Sequence, residues 1–150
     1  MHYRLPPVLQ TLLAAGFMYV LARRVPVIEN LNSYLVIVSF VLWFIASVLI
    51  SSSIFSFLKK GTTVNPMSLH ETQSLVVSGL YRYTRNPMYL GFLILLVSFA
   101  FFLNALSPFL VIPLFVFCIQ KTQIELEEVF LAEKFGESYL QYKQKVKRWL

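Results

Sequence analysis

Residues 86–120 form a run of 35 residues without one charged side chain. A helix needs about 20 apolar residues to cross about 30 Å of hydrocarbon, so this run is too long for a single ordinary span. Asn104, Ser107 and Pro108 interrupt it near its middle. Turn-forming residues there predict a tight helical hairpin, with arms at 87–106 and 107–124. Pro113 falls inside the second arm, and Lys121 near its end must snorkel. Two further charge-free runs, 18 residues at 5–22 and 28 at 31–58, are also long enough to span. The expected fold class is therefore all-α: an integral membrane helical bundle of about four transmembrane helices. A chain of 150 residues makes one domain. Residues 1–58 supply the N-terminal transmembrane helices, and residues 59–150 the part that can hold a site.

The composition agrees. Apolar residues make up 57% of the chain and charged residues 13%, against about 45–50% and about 25% in soluble domains. Such hydrophobicity excludes disorder, and the single Cys118 excludes a disulfide scaffold. A net charge of +6 would suit nucleic acid in a soluble protein. Here the charges lie between and after the apolar runs, so anionic lipid is the expected partner and nucleic acid is not. With four crossings both termini share one side, and that side holds eleven of the thirteen cations; only Arg23 and Arg24 lie opposite. The positive-inside rule places both termini, and six of the seven glutamates, in the cytoplasm. The first run has some features of a signal peptide, with Arg4 before it and Ala14-Ala15-Gly16 within it. Pro6-Pro7 and Gln10 interrupt it and Arg23-Arg24 stops it, which favours a retained helix.

Two polar stretches remain. Residues 59–86 carry the turn signals Gly61, Asn65-Pro66, Gly79 and Asn86-Pro87. Residues 121–150 begin with Ile124, Leu126, Val129, Phe130 and Leu131, a pattern that continues the last crossing as a helix to a cap at Gly136. A second, basic amphipathic helix is expected at 138–150. Its Tyr139, Tyr142, Val146 and Trp149 share a face that suits the lipid surface. His2 and His70 are far apart in sequence and Cys118 stands alone, so no metal constellation is visible. The chain has no Asp, which excludes a Ser–His–Asp triad, and it has no P-loop or GxGxxG motif.

The unusual cluster is Gly79-Leu80-Tyr81-Arg82-Tyr83-Thr84-Arg85-Asn86-Pro87-Met88-Tyr89-Leu90-Gly91. Asn86 and Pro87 suit the N-cap and first turn of a helix, whose free N–H groups can receive an anion, with Arg85 beside them. From composition alone, the favoured reading of the same residues is an aromatic belt with interfacial arginines. Glu125, Glu127 and Glu128 lie just beyond the last crossing. They form either a ligand site at the edge of the bundle or a solvated face paired with Lys121 and Lys134.

Taken together, Gly79-Leu80-Tyr81, Arg85-Asn86-Pro87-Met88-Tyr89-Leu90-Gly91, Glu127-Glu128 and Phe135-Gly136-x-x-Tyr139-x-x-Tyr142 resemble the membrane methyltransferase superfamily. That superfamily includes isoprenylcysteine carboxyl methyltransferases and phospholipid N-methyltransferases. Gly61-Thr62-Thr63-Val64-Asn65-Pro66 resembles its bacterial members, which implies a bacterial inner membrane. The resemblance spans about residues 61–149. It implies S-adenosylmethionine as methyl donor and a lipophilic acceptor, isoprenoid or lipid-like. It also implies a cofactor site made from Gln73, Ser74, Leu75, Val76, Tyr81, Asn86, Pro87, Met88, Tyr89 and Glu127. Arg85 and Glu128 are the candidates for orienting the acceptor. Many relatives have His in place of Asn86; Asn hydrogen-bonds but does not titrate near neutral pH. The eukaryotic carboxyl methyltransferases have Arg where this chain has Gln123. A Gln there, as a substrate-binding residue, cannot grip a carboxylate bidentately. Two other functions share parts of this pattern: an NADPH-dependent membrane reductase akin to sterol reductases, and a non-catalytic lipid-binding protein.

Overall fold

A computed structural model describes residues 5–25, 34–61 and 73–150. His2, Arg4, Glu29, His70 and the turn signal at Asn65-Pro66 lie outside the described residues. Helix α1 (Pro7–Arg24) starts on Pro6-Pro7, with Pro7 where a helix has no N–H to lose, and ends on Arg23 and Arg24, which suit the negative end of the dipole. Helix α2 (Tyr34–Lys59) runs 26 residues and α3 (Pro87–Leu103) runs 17. The hairpin turns within the interrupted stretch, but its first arm ends at Leu103, three residues before the expected Leu106. Asn104 takes the left-handed conformation at φ 51° and stops α3, and Phe101 packs edge-on to Phe109 at 5.1 Å across the turn. A 3-10 turn (Ser107–Leu110) then leads into α4 (Val111–Ile119).

The second arm does not end at Ile124. A π-helical turn (Gln120–Ile124) joins α4 to α5 (Glu125–Phe135), so one helix of 29 residues runs from Ser107 to Phe135. Gly136, at φ 50° and ψ −127°, ends it in a region that only glycine enters without strain, and α6 (Glu137–Lys145) folds back from that corner. The described residues contain two helices long and apolar enough to cross a membrane, Tyr34–Lys59 and Ser107–Phe135. At about 1.5 Å per residue, α3 reaches about 25 Å, and α1 carries Gln10 and Thr11 within its length.

The packing is that of a chain dissolved in hydrocarbon. On α2 the buried residues are Ser39, Ala46 and Ser53, spaced by seven, while Ile37, Phe40, Trp43, Phe44 and Phe55 face outward. Small residues inside and large ones outside let two helices approach closely where water provides no driving force. Helix α3 lies against that stripe: Ser98 donates to the Ser39 carbonyl at 2.7 Å, and Gly91 sits on Ala46 and Ile50. A second core joins α1, α3 and α4 through Met18, Phe92, Leu96, Val111, Phe115 and Ile119.

A Cβ on Gly91 would stand 2.6 Å from Ile50 Cγ1 and 3.3 Å from the Ala46 carbonyl oxygen. Gly91→Ala should therefore destabilise the protein by about 1–3 kcal/mol, the usual cost of overpacking. Thermal unfolding in detergent measures this. Combining it with Ile50→Ala should give less than the sum of the two single costs; strict additivity would show that the contact does not matter.

Candidate functional site

The site is built where the 3-10 turn (Gly79–Arg82), the start of α3, α5, α6 and the C-terminal tail converge. Gly79, at φ 64°, opens the 3-10 turn, and that turn directs Tyr81 inward. Tyr81 packs edge-on to Phe57 of α2 at 5.5 Å. Burial, and then the charge of Glu127, push its phenol pKa well above the ordinary tyrosine range; Ser53 on α2 hydrogen-bonds it. Tyr83, two residues on, points out and is 73% exposed. Tyr89, one turn into α3, is buried and its hydroxyl donates to Glu127 Oε1. Tyr81, Tyr89 and Glu127, which the sequence resemblance assigns to one site, are thus brought together. Val76 is buried, and Leu75 and Ser74 are half-buried. Ser74 donates to the Lys60 carbonyl at 3.3 Å, holding this segment against the end of α2, while Gln73 is exposed.

Pro87 occupies the first position of α3 as expected, with Asn86 at the N-cap. The side chain of Asn86 does not cap the helix. Its amide instead donates to the Arg148 carbonyl at 2.9 Å. The expectation that Asn86 caps α3 is corrected: the donor is spent on the C-terminal tail. The Met88 N–H, in the first turn of α3, receives no cap from the Asn86 side chain.

Arg85 and Glu128 meet as an ion pair at 3.0 Å, each side chain 9% exposed. Glu128 also accepts two bonds from Arg148, at 2.9 Å each, and lies 3.4 Å from Lys143. Arg85 Nη1 also reaches the Tyr139 hydroxyl at 3.2 Å, and its Nε is buried without a partner. Both residues expected to orient an acceptor are therefore engaged with each other. The hydrogen bond and charge of Glu128 hold the Arg148 guanidinium above its usual pKa. Burial raises the Tyr139 and Tyr142 phenols, with Glu128 adding to the effect at Tyr139.

The basic amphipathic helix expected over 138–150 is shorter, Glu137–Lys145, and its aromatic face turns into the protein. Tyr139 is 2% exposed, the Tyr142 hydroxyl donates to the Tyr81 carbonyl at 2.7 Å, and Trp149 packs against the core. Val146 leaves the helix in an extended conformation, and the tail runs across the Arg85-Asn86 turn. Gln123 sits in the π turn, fully buried, and donates to the Leu5 carbonyl at 2.8 Å, with Oε1 unpartnered. It fastens the long helix to the start of α1. Sequence reasoning missed Lys143 and Arg148, because basic residues near a C-terminus look like a solvated surface.

A family model described as phospholipid methyltransferase matches residues 34–138. An uncharacterised protein of Haemophilus influenzae is 41% identical over 63 residues, 42% of this chain and all of the relative. The protein-S-isoprenylcysteine O-methyltransferases of Schizosaccharomyces pombe and Saccharomyces cerevisiae are 36% and 37% identical over 72 and 75 residues. Each of these matches covers 48% of this chain but only 30% of the yeast protein. No solved structure matches significantly.

Glu128→Ala should destabilise the protein by about 3 kcal/mol, the lower end of the cost of stranding a buried charge, since Lys143 and Arg148 can turn to solvent while Arg85 cannot. Denaturant unfolding in mixed micelles checks this, and an unchanged midpoint would show that the cluster is not structural.

Proposed function

The chain belongs to the phospholipid methyltransferase family, and from that premise we propose that it is a membrane enzyme transferring a methyl group from S-adenosylmethionine to a lipophilic acceptor. One observation carries this reading: Tyr89 and Glu127, 38 residues apart in sequence, meet beside the buried Tyr81 and the uncapped start of α3.

The donor set fits the proposed cofactor group by group. Glu127 suits its ammonium and ribose hydroxyls. The N–H of Met88, with the unpartnered Arg85 Nε nearby in sequence, suits its carboxylate. The tyrosine faces suit a sulfonium cation, and Leu75 and Val76 offer apolar surface to the adenine. When bound, S-adenosylmethionine supplies an electrophilic methyl group. The residues of this chain bind and orient it and keep water out, so catalysis rests on positioning. A carboxylate or thiolate acceptor would need no general base here. The outward apolar faces of α1 and α2 suit an acceptor arriving through the bilayer. The names of the yeast relatives suggest an isoprenoid carboxylate, and the family name suggests a phospholipid. The charge asymmetry of the sequence favours a cytoplasmic site, with four crossings.

Titration of S-adenosylmethionine into the purified protein in detergent, followed by calorimetry, tests the reading. Wild type should bind, and Glu127→Ala should lose binding while keeping its helix content. Tyr81→Phe should bind nearly as well as wild type, whereas Tyr81→Leu should weaken binding by about tenfold through loss of the ring face. Binding of NADPH instead would favour a reductase, and binding of neither a non-catalytic protein.

A further inference from the structure

The family model matches residues 34–138 and so does not reach the last five residues. We propose that the C-terminal tail is a working part of the site and that Arg148 is its positioning residue. The inference rests on the methyltransferase reading above.

The contacts of the tail go to consecutive residues of the Thr84-Arg85-Asn86 turn. The Arg85 N–H donates to the Lys147 carbonyl at 3.0 Å. The Arg148 carbonyl accepts from Thr84 Oγ1 at 3.2 Å and from Asn86 Nδ2 at 2.9 Å. The Arg148 side chain meanwhile grips Glu128 through both Nε and Nη2. One residue therefore joins the turn to α5 through its backbone and its side chain at once, and Trp149 packs against the core beside it.

This arrangement decides what the start of α3 can do. Asn is among the best N-cap residues because its side chain satisfies a free N–H of the first turn. Here that capping is given up, since the tail draws the Asn86 amide away. The Met88 N–H is left without the Asn86 cap and stays open to an anion, and Thr84 Oγ1, buried beneath the tail, accepts the Asn86 N–H at 3.2 Å. The pull of Arg148 on Glu128 also sets the position of α5 one residue beyond Glu127. Arg148 thus acts through two groups, Asn86 and Glu128, that flank the proposed cofactor residues.

The test measures S-adenosylmethionine affinity by calorimetry, and Tm, for four full-length proteins in detergent: wild type, Arg148→Ala, Arg148→Lys and Asn86→Ser. Arg148→Ala should raise Kd by about tenfold, the loss of one charge-assisted bidentate contact. Arg148→Lys, which keeps the charge but not the fork, should recover part of that loss and also guards against a folding defect. Asn86→Ser restores a capping side chain while removing the donor to the tail. It should weaken binding with no fall in Tm, a split that a merely structural role would not produce. A folded Arg148→Ala protein with Kd within about twofold of wild type would overturn the inference, as would losses that track Tm across all variants with no rescue by Lys. Absence of binding by folded wild type would overturn the methyltransferase reading, and this inference with it.

Discussion

The carboxylate of Glu128 is the constraint to which the rest of the site answers. It lies near the end of a long apolar helix, 8% exposed, where an unpaired charge would be prohibitively costly. No single neighbour on its own helix neutralises it. Arg85 comes from the turn before α3, Lys143 from α6 and Arg148 from the tail. Satisfying one buried group therefore requires three separate segments to converge. The residues between them, Tyr81, Tyr89 and Glu127, are carried into one place by the same convergence.

Beneath this cluster, the membrane-buried part works by a different rule. Hydrocarbon offers no reward for hiding Leu or Phe, so α2 and α3 associate through shape. Ser39, Ala46 and Ser53 make a flat stripe on α2, and Gly91 lets α3 settle on it. That seam runs from the middle of the bundle to the site, because Ser53 at its end touches the Tyr81 phenol. Close helix packing and the placement of the buried tyrosine are thus one feature, which links stability to the geometry available for binding.

Much of the framework was legible because it follows from strong local signals. Asn104 and Pro108 broke the long apolar run where the hairpin turns, Pro87 opened α3, and Gly136 closed α5. The pairing of Tyr89 with Glu127 was legible only through resemblance, since no spacing rule joins residues so far apart in sequence. The roles of Asn86 and α6 were misread for a shared reason. A good N-cap residue is assigned its cap by local chemistry, and an aromatic stripe on a basic helix is assigned to lipid. Both assignments fail when another part of the chain competes for the same side chains. The Arg148 carbonyl outcompetes the helix for Asn86, and the protein interior outcompetes the lipid for Tyr139 and Tyr142.

The amino-acid sequence alone determined that the chain is helical, apolar enough for a membrane and turned back on itself near Asn104, Ser107 and Pro108. Hydrophobic run length, proline and glycine act over a few residues and need no partner. Tertiary structure alone decided which polar groups are free and which are spent. Glu128 is saturated, Asn86 is diverted, Gln123 is tied to Leu5, and the Met88 N–H goes without the Asn86 cap. Hydrogen bonds and ion pairs are settled by competition among groups brought together from distant segments, and that competition has no local signature.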